Sequence, residues 1–374
     1  MIFQIKQLGK LLDMGNDAVN GKSVVGIDIG TSSLKVIGLT TGKTGASLET
    51  YGELQLGPYA GIDIGRTVNL EPGRLGEALV DILHEANVTA RNAALAIPHS
   101  ASFITVIQLP TKDPAQLASM VPIEARKYIP MSMNEVTLDW FAVPERAQKD
   151  GDVNNDQTSS TETHVLLAAI YNESLKRYRS AVQHAGIAVG MNEIESFSVI
   201  RSSIHEDDAT VMVLDLGAST TKMYIVTDGI LHETHRMPVG GQDLTMAIAQ
   251  MLKIQVSEAE EVKRQMGFAA DSYDPRISEA LRGPIERIVF ETKRVIERFQ
   301  SEGGEKVDKV YLAGGGALLR GLRETMETTF ALPVVITNPF TKVEYPAFLE
   351  ETLVEAGPSF AVAMGVALRR LMEK

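Results

Sequence analysis

Two aspartates, each at the end of an apolar run of strand length, are the residues of this sequence best suited to bind a metal ion. The first is Asp28 in 24-VVGIDIGTSSLKVIGL-39, where a glycine, three small hydroxyl residues and a lysine follow the acid. A carboxylate at the end of a partly buried strand is costly unless its charge is compensated. Hydrated Mg²⁺ compensates it, because magnesium keeps its waters and binds through one or two carboxylates and substrate phosphates. Taken alone, the stretch also fits a surface hairpin that turns at Gly30.

The second aspartate stands in a copy of the same pattern. The stretch 213-VLDLGASTTKMYIV-226 aligns with 26-GIDIGTSSLKVIGL-39 without a gap, which matches Asp215 to Asp28. Two matched copies in separate halves of a chain indicate a duplicated α/β core. The residues that we expect at the phosphate-binding turns are Gly30, Thr31, Ser32, Ser33 and Lys35 in the first copy, and Gly217, Ala218, Ser219, Thr220 and Lys222 in the second.

Each of the two turns has residue types that suit a phosphate group. A glycine lets the backbone approach a ligand closely, and successive backbone N–H groups with Ser and Thr hydroxyls form a concave set of donors for phosphate oxygens. Two facing hairpins would hold a nucleoside triphosphate between two lobes, with Asp28 and Asp215 binding Mg²⁺ through water. Lys35 and Lys222 would add positive charge there, or would be ordinary strand-edge residues.

Two further glycine-rich turns could bring backbone close to the same ligand. In 310-VYLAGGGALLRGL-322 a strand, three glycines and a helix start follow one another. The N-terminus of a helix suits an anionic ligand, although many strand–helix turns are rich in glycine. In 238-PVGGQDLTMAIAQ-250 a Gly-Gly pair precedes another helix. The glycines that we expect at the site are Gly240, Gly241, Gly314, Gly315 and Gly316.

A predicted helix, 258-EAEEVKRQMG-267, carries an acid and a lysine three residues apart, Glu260 and Lys263. This spacing places both side chains on one face of the helix. They either contact the nucleotide or form a solvated surface pair, and we include both among the candidate nucleotide-binding residues.

Composition excludes several classes of protein and site. The net charge of −12 over 374 residues argues against a nucleic-acid partner, which requires a basic face. The absence of cysteine excludes disulfides, thiolate metal sites and a cysteine nucleophile. No run approaches the roughly 20 apolar residues of a membrane-spanning helix. Residues 1–19 have apolar residues at helical spacing and predict an amphipathic helix that lies on a membrane, packs on protein or frays.

Apolar runs of strand length alternate with helical stretches, which is typical of an α/β protein. A chain of 374 residues is too long for one ordinary core, so we expect two domains or a bilobed body. The predicted strands are 24–29, 34–39, 94–98, 103–109, 165–170, 211–216, 222–226, 309–314 and 333–337. The predicted helices are 73–86, 114–127, 172–185, 242–252, 257–266, 276–301, 317–330 and 357–372.

These motifs resemble those of the superfamily of ATPase folds that contains actin, Hsp70 and the sugar kinases. The two DxGxxxxK hairpins resemble its phosphate motifs, and 312-LAGGGALLRGL-322 resembles its adenosine motif. The resemblance implies an actin-like, Hsp70-like two-lobed α/β fold of duplicated ribonuclease-H-like domains, with ATP and Mg²⁺ between the lobes. It also implies that Glu195, in 193-EIESFSV-199, helps to place the attacking water. The alternative for Glu195 is a glutamate on a helix surface.

Within that superfamily the chain is most similar to the PilM family, actin-like cytoplasmic proteins of the type IV pilus inner-membrane platform and relatives of FtsA. The resemblance rests on 25-VGIDIGTSSLKVIGL-39, 96-AIPHSASFITVIQLP-110, 120-MVPIEARKYIP-130, 213-VLDLGASTTKMYIVTDG-229 and 359-SFAVAMGVALRR-370. It implies a cytoplasmic protein, peripheral to the inner membrane, that assists pilus assembly. It also implies binding of the N-terminal cytoplasmic peptide of the membrane protein PilN, in a groove between the first lobe and an inserted subdomain.

The same resemblance implies the domain organisation and the other partners. The expected units are an N-terminal amphipathic extension (1–22), a first lobe (23–90 and 171–208, completed by the helix 357–372), an FtsA-type inserted subdomain (91–170) and a second lobe with nucleotide-binding subdomains (209–356). Further candidate partners are the motor ATPase and the platform protein of the pilus machine, and other copies of this chain. The membrane would be reached through the PilN-like partner or the N-terminal helix.

Two alternative functions stay open for the sequence. An FtsA-like filament protein of cell division would carry a C-terminal linker and an amphipathic membrane helix, whereas this sequence ends in 366-VALRRLMEK-374. A small-molecule kinase of the superfamily would carry a large substrate-binding insertion, for which the sequence offers no obvious candidate. Binding motifs do not determine turnover, so weak ATPase activity is neither predicted nor excluded.

Overall fold

The computed structural model describes residues 23–43, 45–143, 162–268 and 274–372. The predicted N-terminal helix lies outside the described residues. Within the described ranges, no helix combines the length and the apolar character needed to cross a membrane.

The first sheet is built from β1 (Ser23–Ile29), β2 (Ser33–Thr41), β3 (Ala46–Gln55), β4 (Asn92–Ile97) and β8 (Ala188–Ile194). Its strand order is β3-β2-β1-β4-β8. The first three strands run antiparallel, whereas β4 pairs parallel with β1, and β8 pairs parallel with β4. The central strands are nearly continuous apolar runs because both of their faces are covered by helices.

Two pairs of helices cover this first sheet. One pair consists of α1 (Pro72–Glu85) and α3 (Asn172–His184), which pack against each other. The other consists of α4 (Glu195–Ser203) and α10 (Ala361–Met372). Because α10 lies against β1 and is buried along most of its length, the end of the described chain returns to the first lobe.

The second sheet has five strands with the same connectivity. Its strands are β9 (Thr210–Leu216), β10 (Thr221–Thr227), β11 (Ile230–Met237), β12 (Lys309–Ala313) and β13 (Val334–Ile336), in the order β11-β10-β9-β12-β13. Three antiparallel strands are again followed by two parallel ones. Each strand therefore has a counterpart in the first sheet, and the predicted duplication of an α/β core is confirmed.

Four helices accompany the second sheet. They are α5 (Gly241–Leu252), α6 (Val256–Met266), α7 (Pro275–Ser301) and α8 (Leu322–Phe330). The first of them, α5, packs against both α6 and α7. Their buried apolar residues form a core on one face of the sheet, while the other face joins the core of the first lobe through α4.

A small antiparallel sheet stands between β4 and α3 in the chain. It contains β5 (Ser102–Leu109), β6 (Val136–Ala142) and β7 (Thr163–Tyr171) in the order β5-β7-β6, with α2 (Pro114–Ala125) beside it. The predicted start of this insert at residue 91 is too early, because β4 pairs with β1 in the first sheet. A short apolar run predicts a buried strand but carries no information about its partner strand.

The predicted boundary of the second lobe also needs a correction. Residues 339–356, which include α9 (Glu350–Ala356), were assigned to that lobe. However, the Glu344 backbone exchanges hydrogen bonds with β3, its N–H donating to Ala46 and its carbonyl accepting from Leu48. Phe340 and Leu353 are buried in the core of the first lobe, so this segment crosses back before α10 begins.

Candidate functional site

A cleft of about 750 Å³ opens where β1 and β9 end and their hairpins begin. All but one of the predicted site residues line it. Those that line it are Asp28, Gly30, Thr31, Ser32, Ser33, Lys35, Glu195, Asp215, Gly217, Ala218, Ser219, Thr220, Lys222, Gly241, Glu260, Lys263, Gly314, Gly315 and Gly316. The structure therefore brings six separate stretches of the sequence to one place.

The exception is Gly240, which lies behind the second hairpin. A Cβ atom there would be 2.7 Å from the carbonyl oxygens of both Gly217 and Ala218. The next two backbone N–H groups, those of Gly241 and Gln242, donate to the same two carbonyls over 2.9 and 2.8 Å. Gly240 does not line the cleft; this glycine packs the start of α5 against the hairpin.

The two hairpin turns have the same internal geometry. The N–H of Gly30 donates to the Ser33 carbonyl over 3.1 Å, and the N–H of Gly217 donates to the Thr220 carbonyl over 3.0 Å. The two copies of the sequence motif therefore share the backbone geometry of the turn as well as their residue types.

The two turns also face each other across the cleft. The hydroxyl of Thr31 in the first turn donates to the Ser219 hydroxyl in the second over 3.2 Å. Polar groups of both lobes consequently converge on the same space, as a ligand gripped between lobes requires.

Asp28 is a buried carboxylate without a donor. It is 9% exposed, and no side chain or N–H group of the described residues donates a hydrogen bond to it. The pKa of Asp28 is raised to about 6; burial is the largest cause, the carboxylates of Glu195 and Asp215 also raise it, and the charges of Lys35 and Lys222 oppose them. A carboxyl group in this state favours a cation that would compensate its charge.

Lys222 has the opposite environment, because two carboxylates hold its ammonium group. Its Nζ lies 2.9 Å from Asp215 Oδ2 and 3.0 Å from Glu195 Oε2. Although burial lowers the pKa of Lys222, the charges of Asp215 and Glu195 raise it well above its usual value. Lys222 is therefore a fixed positive charge in the second turn.

Glu195 begins α4 and is a buried residue of the site, 7% exposed, so it is not on a helix surface. Its Oε1 accepts the backbone N–H of His99 over 2.5 Å, while Oε2 pairs with Lys222. His99 lies in the short turn His99–Ala101 that joins β4 to β5 of the insert. Burial, with the charges of Lys222 and Arg236, lowers the pKa of His99 to about 4, so the imidazole is neutral at pH 7.

Glu260 and Lys263 form part of the cleft wall and are not a solvated pair. Lys263 Nζ lies 2.6 Å from Glu260 Oε2, which also accepts the Thr245 hydroxyl over 2.6 Å. Arg264 Nε donates to Glu260 Oε1 over 2.8 Å. Although burial opposes its ionisation, Lys263 holds the pKa of Glu260 below its usual value. The acid is therefore ionised and its position is fixed by three side chains.

The glycine run after β12 lies directly against the second hairpin. Gly314 has a φ of 79°, and a Cβ atom there would be 2.6 Å from Asp215 Oδ1 and 2.5 Å from the Leu216 carbonyl oxygen. Only glycine fits both the backbone conformation and the contact. The predicted helix start at 317 differs from the structure, since a 3₁₀ turn, Gly315–Leu318, precedes α8.

Several residues that line the cleft were not predicted from the sequence. They are scattered over elements whose other residues pack the core, and no local pattern distinguishes them. Those with polar side chains that bear on the argument below are Glu53, Asn69, Arg177, Arg236 and Gln242.

One unpredicted feature is a segment that spans the cleft, residues 61–70, which we call the strap. Within the first lobe, the N–H of Val68 donates to the Thr31 carbonyl over 2.7 Å, and Arg177 of α3 donates to Asn69 and Leu70. Toward the second lobe, the N–H and hydroxyl of Thr67 both donate to Gln242 Oε1, over 2.6 and 2.9 Å. The strap therefore ties the two lobes together beside the site.

The strap reaches the second lobe closely because it carries a glycine there. Gly65 has a φ of 90°, and a Cβ atom at this position would be 2.9 Å from the Glu260 Cβ. The contact brings backbone of the first lobe onto the wall formed by α6.

Replacing Gln242 by leucine should release the strap. The Thr67 amide then loses its acceptor, and we expect its hydrogen exchange to become about fivefold faster, since one hydrogen bond contributes about 1 kcal/mol. Exchange at single-residue resolution by NMR would measure it. Gln250→Leu, an exposed position on the same helix, is the control, and equal exchange in both variants would show that Gln242 does not hold the strap.

The donor set of the cleft fits a polyphosphate with a divalent cation. Two opposed turns offer hydroxyls and lysines, and Asp28 lacks a partner for its charge. In the described part of the chain, no three His, Asp or Glu side chains are grouped closely enough to hold a metal ion by themselves. A cation here would consequently need oxygens from an anionic ligand as well as from the protein.

Comparison with known proteins identifies similar sequences and structures. Residues 26–371 match the model of a protein family described as type IV pilus assembly protein PilM. The cell division protein FtsA of Pseudomonas aeruginosa is 23% identical over 356 residues, which cover 86% of this chain and 84% of FtsA.

Among solved structures, the PilM–PilN type IV pilus biogenesis complex matches with a TM-score of 0.78 and 27% identity, covering 94% of this chain and 99% of the matched chain. The ethanolamine utilization protein EutJ from Carboxydothermus hydrogenoformans matches with a TM-score of 0.56 and 16% identity, covering 98% and 99%. At that identity the EutJ match concerns the fold alone.

Proposed function

The chain belongs to the family of type IV pilus assembly protein PilM and has an actin-like fold, and on this premise we propose that it is an ATP-binding component of a type IV pilus assembly platform. ATP with Mg²⁺ would bind between the two lobes. The protein would act in the cytoplasm, peripheral to the inner membrane, through a membrane-protein partner.

The single observation that carries the nucleotide proposal is the pair of facing hairpins. Thr31 and Ser219 touch across the cleft, and the acid before each turn lies directly opposite a lysine on the next strand. Such a paired arrangement favours a ligand with several negative groups in a row, as a triphosphate has.

The residues of the cleft would have separate tasks. Asp28 and Asp215 would hold the magnesium ion through water, and the turn N–H groups and hydroxyls would bind the phosphates. Bound magnesium would neutralise part of the phosphate charge. Glu260 and Lys263 would bind the nucleoside, and Glu195 would orient a water, since Lys222 and His99 already fix its two oxygens.

The partner proposal rests on the match to the PilM–PilN complex. We propose that the chain binds the N-terminal cytoplasmic peptide of a PilN-like membrane protein, between the first lobe and the small sheet of β5 to β7. His99 offers a physical connection, because it joins that sheet to β4 and donates to Glu195 in the cleft. Nucleotide binding at Glu195 and Lys222 would thereby reach the insert.

The cell-division alternative has less support. FtsA proteins match this chain at low identity, whereas the family model that spans residues 26–371 is that of PilM.

Titrating the protein with ATP and with the partner peptide tests the proposal. We expect ATP to bind at least tenfold more weakly when EDTA removes magnesium, because the buried acids then repel the phosphates. A peptide of the cytoplasmic N-terminus of the PilN-like protein from the same organism should bind with at least threefold different affinity with and without ATP. Calorimetry measures both affinities.

A scrambled peptide of the same composition is the control and should not bind. Failure of ATP to bind in magnesium would refute the nucleotide site. Equal affinity for the native and scrambled peptides would refute the partner, and an unchanged native affinity with ATP would refute the coupling.

A further inference from the structure

A row of three charged residues crosses the second sheet beside the cleft. Asp215 on β9 lies opposite Lys222 on β10, and Lys222 lies opposite Arg236 on β11. Residues directly opposite each other in antiparallel strands have side chains on the same face. All three line the cleft.

The duplicated first sheet carries the corresponding row, Asp28 on β1, Lys35 on β2 and Glu53 on β3. All three again line the cleft. The two copies thus agree at the acid and at the lysine but have opposite charges at the third position. The pattern of charge is acid–lysine–acid in the first lobe and acid–lysine–arginine in the second.

Glu53 has an evident local role, because its Oε1 lies 3.6 Å from Lys35 Nζ. Arg236 has no such role. It stands opposite Lys222, whose ammonium is already paired with Asp215 and Glu195, and like charges directly opposite each other are destabilising. No carboxylate of the described residues lies within ion-pair distance of Arg236.

Arg236 lies opposite Lys222, whose ammonium group pairs with Glu195. Its side chain is exposed to the solvent that fills the cleft. Its charge contributes, after burial and Lys222, to the lowered pKa of His99, whose backbone N–H is bound to Glu195. A cation that has no carboxylate partner among the described residues, opposite Lys222 and near His99, indicates an anionic group of a ligand at that point.

We propose that Arg236 binds the terminal phosphate of the nucleoside triphosphate, so that the second lobe distinguishes a triphosphate from a diphosphate. This inference rests on the proposed nucleotide site and states which residue binds the terminal phosphate there. A guanidinium suits the task, because it stays charged and makes paired charge-assisted hydrogen bonds with phosphate oxygens. A ligand phosphate would also offset the repulsion between Arg236 and Lys222.

Affinities of the Arg236→Gln variant for ATP, ADP and AMP, measured with Mg²⁺ by calorimetry, test the assignment. We expect ATP to bind about tenfold or more weakly than to the wild type, since a hydrogen bond to a charged group contributes about 1.5–3 kcal/mol. ADP and AMP should change less than about threefold, because their phosphates end before the arginine. Arg282→Gln, an exposed arginine on α7, is the matched control and should change none of them.

The melting temperature of the ligand-free variant is the second measurement. Because Arg236→Gln removes a like-charge contact, we expect a melting temperature equal to or above that of the wild type. A clear fall would mean that Arg236 is a structural residue and would overturn the proposal. Equal losses for ATP and ADP, or no loss for either, would overturn it too, whereas a wild type that binds no nucleotide would refute the nucleotide site itself.

Discussion

The Asp28→Asn variant is expected to bind ATP at least a hundredfold more weakly than the wild type in Mg²⁺, and to lose most of the magnesium dependence of binding. Asp28 is a buried carboxylate of the cleft for which the described residues supply no donor, so its charge is available to a cation. Two ionic interactions of a buried site, at about 1.5–3 kcal/mol each, correspond to a loss of this size. Nucleotide titrations at several magnesium concentrations measure it.

The same substitution should stabilise the protein when no ligand is present. The pKa of Asp28 is raised from 3.8 to about 6, mainly by burial. The ionised carboxylate therefore costs folding free energy at neutral pH. The sign follows from the shift: when the pKa of a carboxyl group is higher in the folded state, the folded protein becomes less stable as the pH rises through that pKa. Asparagine removes this cost, on the order of 3 kcal/mol, and urea unfolding at pH 7.5 would measure the gain.

Asp308→Asn, an exposed aspartate on the second lobe, is the control for both measurements and should change neither. Asp215 would be a poorer choice for the test, since its loss also removes a partner of the buried Lys222. A weaker ATP affinity together with lower stability would contradict the explanation, because a structural role for Asp28 would then account for both. An unaltered magnesium dependence would end the assignment of Asp28 to the cation.

The family, the α/β fold and most of the cleft residues could be predicted because their signals are local. Asp28 and Lys35 lie opposite each other across one tight turn, so residue types at fixed spacing determine both the turn and its donors. The second hairpin has the same residue types at the same spacing, and this repeat indicates two matched lobes. Glu195 was predicted from the resemblance of 193-EIESFSV-199 to a helix of the superfamily, and it is buried at the cleft.

What the sequence did not predict depends on pairing between distant segments. The partner of β4, the return of residues 339–356 to the first lobe and the packing of Gly240 all follow from contacts with remote strands and turns. Strands β3 and β11 were not predicted either, since they are edge strands with many partly exposed residues. Their registers place Glu53 and Arg236 at the cleft, and register is not readable from an isolated strand.

The strap shows the same limit in an irregular segment. No periodicity marks residues 61–70, and their relation to the site arises only when Thr67 reaches Gln242 across the lobes. A local sequence pattern can therefore identify the residues of the hairpin turns. The residues of the strap can be assigned to the cleft only from the assembled fold.

Replacing Glu193 by glutamine should destabilise the protein by about 3 kcal/mol at pH 7, because two arginines then lose the buried carboxylate that pairs with both of them. Glu193 is 1% exposed, and it accepts from both terminal nitrogens of Arg201 over 2.6 Å and from Arg369 over 2.8 Å. These bonds join β8 to α4 and α10. Glutamine would leave Arg201 and Arg369, the latter 4% exposed, without the carboxylate that bridges them.

The pH dependence of this loss distinguishes the charge from simple packing. Although burial opposes ionisation, Arg201 and Arg369 lower the pKa of Glu193 to about 2 from 4.5. A depressed folded pKa means that the stabilisation is present above pH 4.5 and is lost as the pH falls through 2. The difference between wild type and Glu193→Gln should therefore shrink between pH 5 and pH 2.5.

Urea unfolding at pH 7, 5, 4 and 3 measures that difference, with Glu261→Gln, an exposed acid on α6, as the control that should change little. A loss that stays constant down to pH 3 would assign the effect to packing instead of charge. The outcome bears on the site as well, because α4 carries Glu195 in its first turn and Arg201 in its last. Through Arg201, the ion pairs of Glu193 fix the far end of α4, the helix that presents Glu195 to Lys222. Loss of these ion pairs should therefore also make the position of Glu195 in the cleft less fixed.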